Sequence, residues 1–216
     1  MANLVTLGRL ILLFALVGMV YWALPAWQLW NLPLLVLIML MDALDGLIAR
    51  AFGESSLFGA TFDIAADRIV ETVLWVVLGH IGLVPIWAAI VFILRGNIVD
   101  AIRNSAAASE GVAPFEMMQS STGRFLVGGR FMRGLYNTVK MATFGLALLL
   151  QPLPALYPRF WEGAGGPAGH VLTVLVWISV VLCLVRGAPV VIEFLGTAPA
   201  RRVQPAPERS YREAAE

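Results

Sequence analysis

Six mainly apolar stretches of about twenty residues limit what this chain can fold into. They run from Leu4 to Ala23, Leu32 to Ala51, Phe62 to Ile81, Pro85 to Ala107, Gly134 to Leu150 and Ala168 to Phe194. About 20 helical residues cross the roughly 30 Å of hydrocarbon in a bilayer. Lipid offers no hydrogen-bond partners, so a spanning backbone must satisfy itself as helices or as a closed barrel. These runs are too long and too rich in Leu and Ala for barrel strands. The expected fold is all-α: an integral membrane bundle of six transmembrane helices over residues 1–195. A flexible cytoplasmic tail, 196–216, rich in Pro, Ala, Arg and Glu, is expected to follow. No small-residue cleavage site follows the first run, which reads as a retained span.

Composition narrows the function classes. Hydrophobic residues make up 59% of the 216 and charged residues 13%, too few charges to coat a water-facing surface. A net charge of +1 provides no basic field for nucleic acid. The lone Cys183 excludes a disulfide framework or a thiolate metal site. With six spans both termini share one side, together with Arg124, Arg130, Arg133 and the arginines of the tail. The excess of positive charge puts that side in the cytoplasm. Trp22, Trp27, Trp30, Trp87 and Trp161 fall near span ends, as an interfacial aromatic belt does.

Charges inside the apolar runs carry the chemistry, because ionised groups are costly in a bilayer and usually face a bundle interior. Asp42, Asp45 and Arg50 close the second run, and Asp63, Asp67, Arg68 and Glu71 open the third. Asp42 and Asp45 are three apart, and Asp63, Asp67 and Glu71 are four apart, so each set shares a helix face. Two antiparallel neighbours can aim four aspartates at one point. Such a group needs a compensating cation, and all-oxygen ligation suits Mg²⁺ or Mn²⁺. Zinc is disfavoured, since His80 and His170 lie away from the cluster and read as structural. Two other readings are Asp–Arg pairs that only bind helices together, with Arg50 and Arg68 as partners, and a cation-coupled transporter. Acids at one membrane face, not at the midplane, weigh against transport.

The pattern is Asp42-x-x-Asp45-Gly46-x-x-Ala49-Arg50, eight residues, then Gly59-x-x-x-Asp63-x-x-x-Asp67. It resembles the signature of the CDP-alcohol phosphatidyltransferase family at every fixed position. The resemblance implies a six-helix membrane fold with a polar cavity facing the cytoplasm, and transfer of a phosphatidyl group from CDP-diacylglycerol to a small polar alcohol, with release of CMP, by an enzyme that is commonly a homodimer. It implies two divalent ions on Asp42, Asp45, Asp63 and Asp67, with Asp67 also the base that takes the acceptor's proton. It implies that Gly46 and Ala49 keep the wall thin for the cytidine, that Arg50 lies near the nucleotide, and that Gly59 permits close helix approach. A plasma membrane location, the inner membrane in a bacterium, is implied as well.

A second group points to the acceptor. Arg95 and Arg103 lie eight apart in the fourth run, with Asp100 three before Arg103 as its expected partner. Arg130, Arg133 and Lys140 follow around the start of the fifth. Forked arginine donors suit a phosphate, so a phosphorylated acceptor is expected. Positive-inside charge accounts for Arg130 and Arg133 equally well. The Arg95–Arg103 spacing and Asn3-x-x-Thr6-x-x-Arg9 look like the phosphatidylglycerophosphate synthase branch, which implies glycerol 3-phosphate. Tyr136-Asn137-Thr138-Val139-Lys140-Met141 departs from that branch, so inositol phosphate, serine or another acceptor stays open. Glu71 reads as a supporting partner of a ligand or of Arg68, and Arg186 as a partner of Glu193.

Overall fold

The backbone satisfies itself as the lipid argument requires. In the computed structural model, which describes residues 2–52, 57–110, 125–126 and 129–197, the regular elements are helices and the described residues contain no strand. Six long helices form the body: α1 (Ala2–Trp22), α3 (Asn31–Phe52), α4 (Leu57–His80), α5 (Ile86–Glu110), α6 (Arg130–Leu150) and α8 (Pro158–Thr197). Two single turns, α2 (Pro25–Gln28) and α7 (Leu153–Leu156), join neighbours at one end. Among the described residues, four stretches are long and apolar enough to cross a membrane: Leu4–Trp22, Pro25–Asp42, Arg130–Leu156 and Pro158–Gly196. Helices α4 and α5, of 24 and 25 residues, match them in length and carry the charges singled out above.

The long helices contact one another in a closed ring, α1–α3–α6–α8–α5–α4 and back to α1, and α4 also meets α6 across the middle. The inside of the ring is packed by Leu13, Leu16, Ile38, Leu74, Leu78, Leu148 and Val176, all nearly inaccessible. Trp75 anchors it, stacked on Phe92 with ring centroids 4.2 Å apart and edge-on to Phe144 at 5.0 Å. The outer faces are apolar too: Ile11, Phe14, Leu40, Ile90, Leu94, Val174 and Val181 are all exposed. An apolar exterior of this extent suits lipid and not water.

Polar side chains tie the ring at the end away from the aspartates. Gln151 donates to the Val20 carbonyl at 2.9 Å and accepts from Asn31 at 3.3 Å, joining α6, α1 and α3. The Thr143 and Ser179 hydroxyls meet at 3.0 Å between α6 and α8. At this same end His80 packs edge-on to Tyr21, 5.7 Å between centroids, as its structural reading expects. Gly82, at φ +77°, closes the tight turn from α4 to α5 in a conformation that side chains disfavour.

The sixth helix runs longer than the apolar stretch that predicts it. It begins at Pro158, ten residues before Ala168, and continues through Gly163, Gly165, Gly166 and Pro167. Packing explains part of this: the Trp161 indole folds back over Gly165, where a Cβ would lie 2.7 Å from the ring. At the other end α8 closes at Thr197, and residues 198–216 of the expected tail lie outside the described residues.

Candidate active site

The ring brings the charged ends of its helices together at one end. Asp42 comes from the last turns of α3, and Asp63 and Asp67 from the first turns of α4. One carboxylate oxygen from each of these three lies within 4.8 Å of the others. The periodicity argument is therefore met for three of the four aspartates. The side chains of Asp45, Gly46, Ala49, Arg50 and Arg103 lie outside the described residues, as does Arg124. Gly59 sits in the first turn of α4, at the start of the stripe that carries Asp63 and Asp67.

The cluster holds a cation of its own that sequence reasoning did not place there. Arg9, on α1, is only 1% exposed. Its guanidinium bonds Asp42, donates to Asp67 at 2.7 Å and stands 3.8 Å from Asp63. A signal did exist: Arg9 is a lone charge near the start of an otherwise apolar run, where it needs an internal partner.

The three aspartates fit a hard divalent cation. Octahedral Mg²⁺ holds oxygens at about 2.1 Å, so opposite ligands stand about 4.2 Å apart. A set spread over no more than 4.8 Å needs only small adjustments to close on such an ion. The Oδ1 atom of Asp63 is buried without a hydrogen-bond partner, which leaves an acceptor to be satisfied.

Next to the cluster lies a cavity of about 440 Å³ with two kinds of wall. On the α1, α3 and α4 side it is lined by Arg9, Asp42 and Asp67. Across from them, α5, α6 and α8 contribute Arg95, Arg133, Lys140 and Arg186. Arg133 and Lys140 thus reach the cavity with Arg95, as expected, whereas Arg130 stays exposed in the first turn of α6 and does not line it. Arg186, which the sequence paired with Glu193, lies over the Tyr136 ring, its guanidinium carbon 4.9 Å from the centroid. Lys140 lies over the same ring, also at 4.9 Å.

Glu71 and Arg68 hold the two walls together. Glu71 accepts from the Tyr136 hydroxyl at 3.1 Å and pairs with Lys140 at 3.1 Å and Arg68 at 3.3 Å. It is therefore the partner of Arg68, one of the two supporting roles open to it in sequence. It turns towards the cationic wall, away from the aspartates of its own stripe. Arg68 also pairs with Asp100 on α5 at 2.8 Å. Asp100 thus has a partner across the helix interface; the side chain of Arg103, the partner expected from local spacing, lies outside the described residues. Among the described residues the cluster aspartates pair with Arg9, and Arg68 with Glu71 and Asp100; the side chain of Arg50, the other partner in the helix-association reading, lies outside the described residues.

Chemically, the site can gather cations at one wall and bind anions at the other, with a small water-accessible volume between. A substrate bridging such walls carries dense negative charge. Residues 1–185 match the family model described as CDP-alcohol phosphatidyltransferase. Over 66 residues the chain is 36% identical to proteins named "putative cardiolipin synthase" from Mycobacterium bovis and Mycobacterium tuberculosis. That match covers 31% of this chain and spans about a third (32%) of the length of those relatives. The family model extends over all six helices as far as Val185, including every aspartate of the motif. On that match, joined to the carboxylate cluster at its centre, the chain belongs to the CDP-alcohol phosphatidyltransferases, a family of phosphotransferases that move phospholipid head groups.

Proposed function

We propose that this protein transfers the phosphatidyl group of CDP-diacylglycerol to the hydroxyl of a small phosphorylated alcohol, glycerol 3-phosphate first among them, and releases CMP. The observation that carries the reading is the cavity with a carboxylate cluster on one side and Arg95, Arg133, Lys140 and Arg186 on the other. All six long helices cross the membrane in this reading, with both termini in the cytoplasm. The diacylglycerol chains then lie in lipid while the nucleotide and acceptor meet water.

Asp42, Asp45, Asp63 and Asp67 are the residues to hold two ions of Mg²⁺ or Mn²⁺. When bound, these ions supply Lewis-acid polarisation of the diphosphate and offset the charge on the departing CMP. Asp67, with a side chain 58% exposed at the cavity, is placed to receive a proton. The acceptor hydroxyl gives its proton to Asp67 as its oxygen bonds the phosphatidyl phosphorus, and the bond from that phosphorus to CMP breaks. The cationic wall holds the acceptor's phosphate by charge-assisted hydrogen bonds, which orients the hydroxyl for attack.

Gly187 supports the acceptor role of Arg95. A Cβ at position 187 would lie 2.9 Å from both Cγ and Nε of Arg95, so Arg95 reaches its place only because α8 has no side chain there. Gly187→Ala is expected to displace Arg95 and raise the KM for the acceptor by roughly tenfold, the loss of one charge-assisted bond. Its KM for CDP-diacylglycerol should be unchanged, and steady-state kinetics with each substrate varied in turn checks this.

The direct test of the acceptor is an acceptor panel with purified protein, CDP-diacylglycerol and Mn²⁺, with lipid products identified by mass spectrometry. The panel holds glycerol 3-phosphate, inositol phosphate, inositol, serine and a control without acceptor. A phosphorylated product from glycerol 3-phosphate or inositol phosphate supports the reading. Product from serine or inositol alone contradicts the role given to the cationic wall.

A further inference from the structure

We propose that Arg9 is an exchangeable internal counter-ion: it holds Asp42, Asp63 and Asp67 together while no divalent cation is bound, and turns into the cavity when one enters. The inference rests on reading the aspartates as the divalent-metal site.

Position is the first argument. The guanidinium bonds Asp42 and Asp67 and stands 3.8 Å from Asp63, so one planar cation touches the same three carboxylates that could ligate a metal ion. Guanidinium and metal compete for the same oxygens, and as like charges a few ångströms apart in a poorly solvated place they repel strongly. Three carboxylates crowded this closely also need a cation when no metal is present. Arg9 fills that need from within the chain.

The second argument is an unmade bond. Arg9 is 1% exposed, and its Nε–H is buried with no hydrogen-bond partner. A guanidinium carries five donors, and leaving one unsatisfied is costly. Its seat among the aspartates therefore serves the carboxylates better than it serves the arginine.

The third argument is room to move. Arg9 already lines the cavity beside Asp42 and Asp67, so rotation about its side-chain bonds can carry the head group into open volume. Helix α1 need not shift, because Leu13 and Leu16 remain anchored in the core. Arg9 thus becomes a positioning residue that preorganises the empty cluster. Metal loading is coupled to the appearance of a new cationic donor in the substrate cavity.

Phenylglyoxal labelling of the full-length protein in nanodiscs tests this, because the reagent needs an accessible guanidinium. Peptide mass spectrometry reads modification of Arg9 against the exposed Arg159 as internal reference. Electron paramagnetic resonance of the same samples reports bound Mn²⁺. Arg9 is expected to stay protected without metal and to react roughly tenfold faster at Mn²⁺ saturation, in proportion to the shift towards the displaced state. Bound Mn²⁺ with Arg9 still protected would overturn the exchange and leave the metal site standing. Fast labelling without metal would also overturn it. No bound Mn²⁺ would remove the exchange and the metal reading together.

Discussion

Asp67→Asn is expected to lower kcat by roughly a thousandfold or more while the protein still folds, the scale on which a positioned general base contributes. The substitution changes a carboxylate to an amide of nearly the same shape. The amide oxygen can still accept the bond that Arg9 donates at 2.7 Å, so the link between α1 and α4 survives. What is lost is the negative charge and the ability to take a proton. Turnover, with thermal unfolding and gel-filtration profiles as controls for the fold, checks the prediction. A variant with near-normal turnover would remove Asp67 from the base role and require another proton acceptor at the cavity.

The second large effect concerns the opposite wall. Arg95→Ala is expected to raise the KM for a phosphorylated acceptor by roughly 10- to 100-fold, the range for losing charged hydrogen bonds worth about 1.5–3 kcal/mol. The KM for CDP-diacylglycerol should change by no more than about twofold, a bound set by the absence of any charged bond to that substrate. The asymmetry follows from geometry. Arg95 lies on α5, on the far side of the cavity from the aspartates, and packs against Gly187 of α8. Kinetics with each substrate varied at saturation of the other separate the two constants. An equal rise in both would mean that Arg95 shapes the whole cavity and does not serve the acceptor alone.

How much of this was legible in the sequence depends on whether a feature is local to one helix. Asp42 in the later turns of α3, and Asp63 and Asp67 in the first turns of α4, meet at one end as their spacing predicts, although α1 packs between the two helices where the sequence suggested direct neighbours. The helical class follows from the apolar runs for the same local reason. Features that depend on which helices become neighbours were not legible. Arg9 joins aspartates 33 and 58 residues away, and periodicity says which face of α1 it occupies but not what that face meets. Asp100 pairs with Arg68, 32 residues distant, a partner that local spacing does not point to. Glu71 shares a stripe with Asp63 and Asp67, yet α6 lies close enough for Tyr136 and Lys140 to draw it the other way. Arg186, read in sequence as a partner of Glu193, lies over the Tyr136 ring because the ring sets α8 beside α6.

The ring also explains why α4 and α5 carry charges within their length. They have charged inner faces because they line the cavity between the two walls, and the Arg68–Asp100 pair joins them directly. Partly buried pairs of this kind add little net stability, since desolvation and solvent screening offset much of their attraction. Their value lies in fixing geometry. Arg68, Glu71, Lys140 and Tyr136 form one connected network, so a cationic wall can stand close to a carboxylate cluster without collapsing onto it.

The most direct test of the central claim is CMP release by purified protein reconstituted with CDP-diacylglycerol, measured with and without acceptor and with divalent metal present or chelated. The account predicts release that needs both an acceptor and a divalent ion, with one phospholipid formed per CMP. Release that continues in the presence of chelator, or lipid product formed without any CMP, would contradict it.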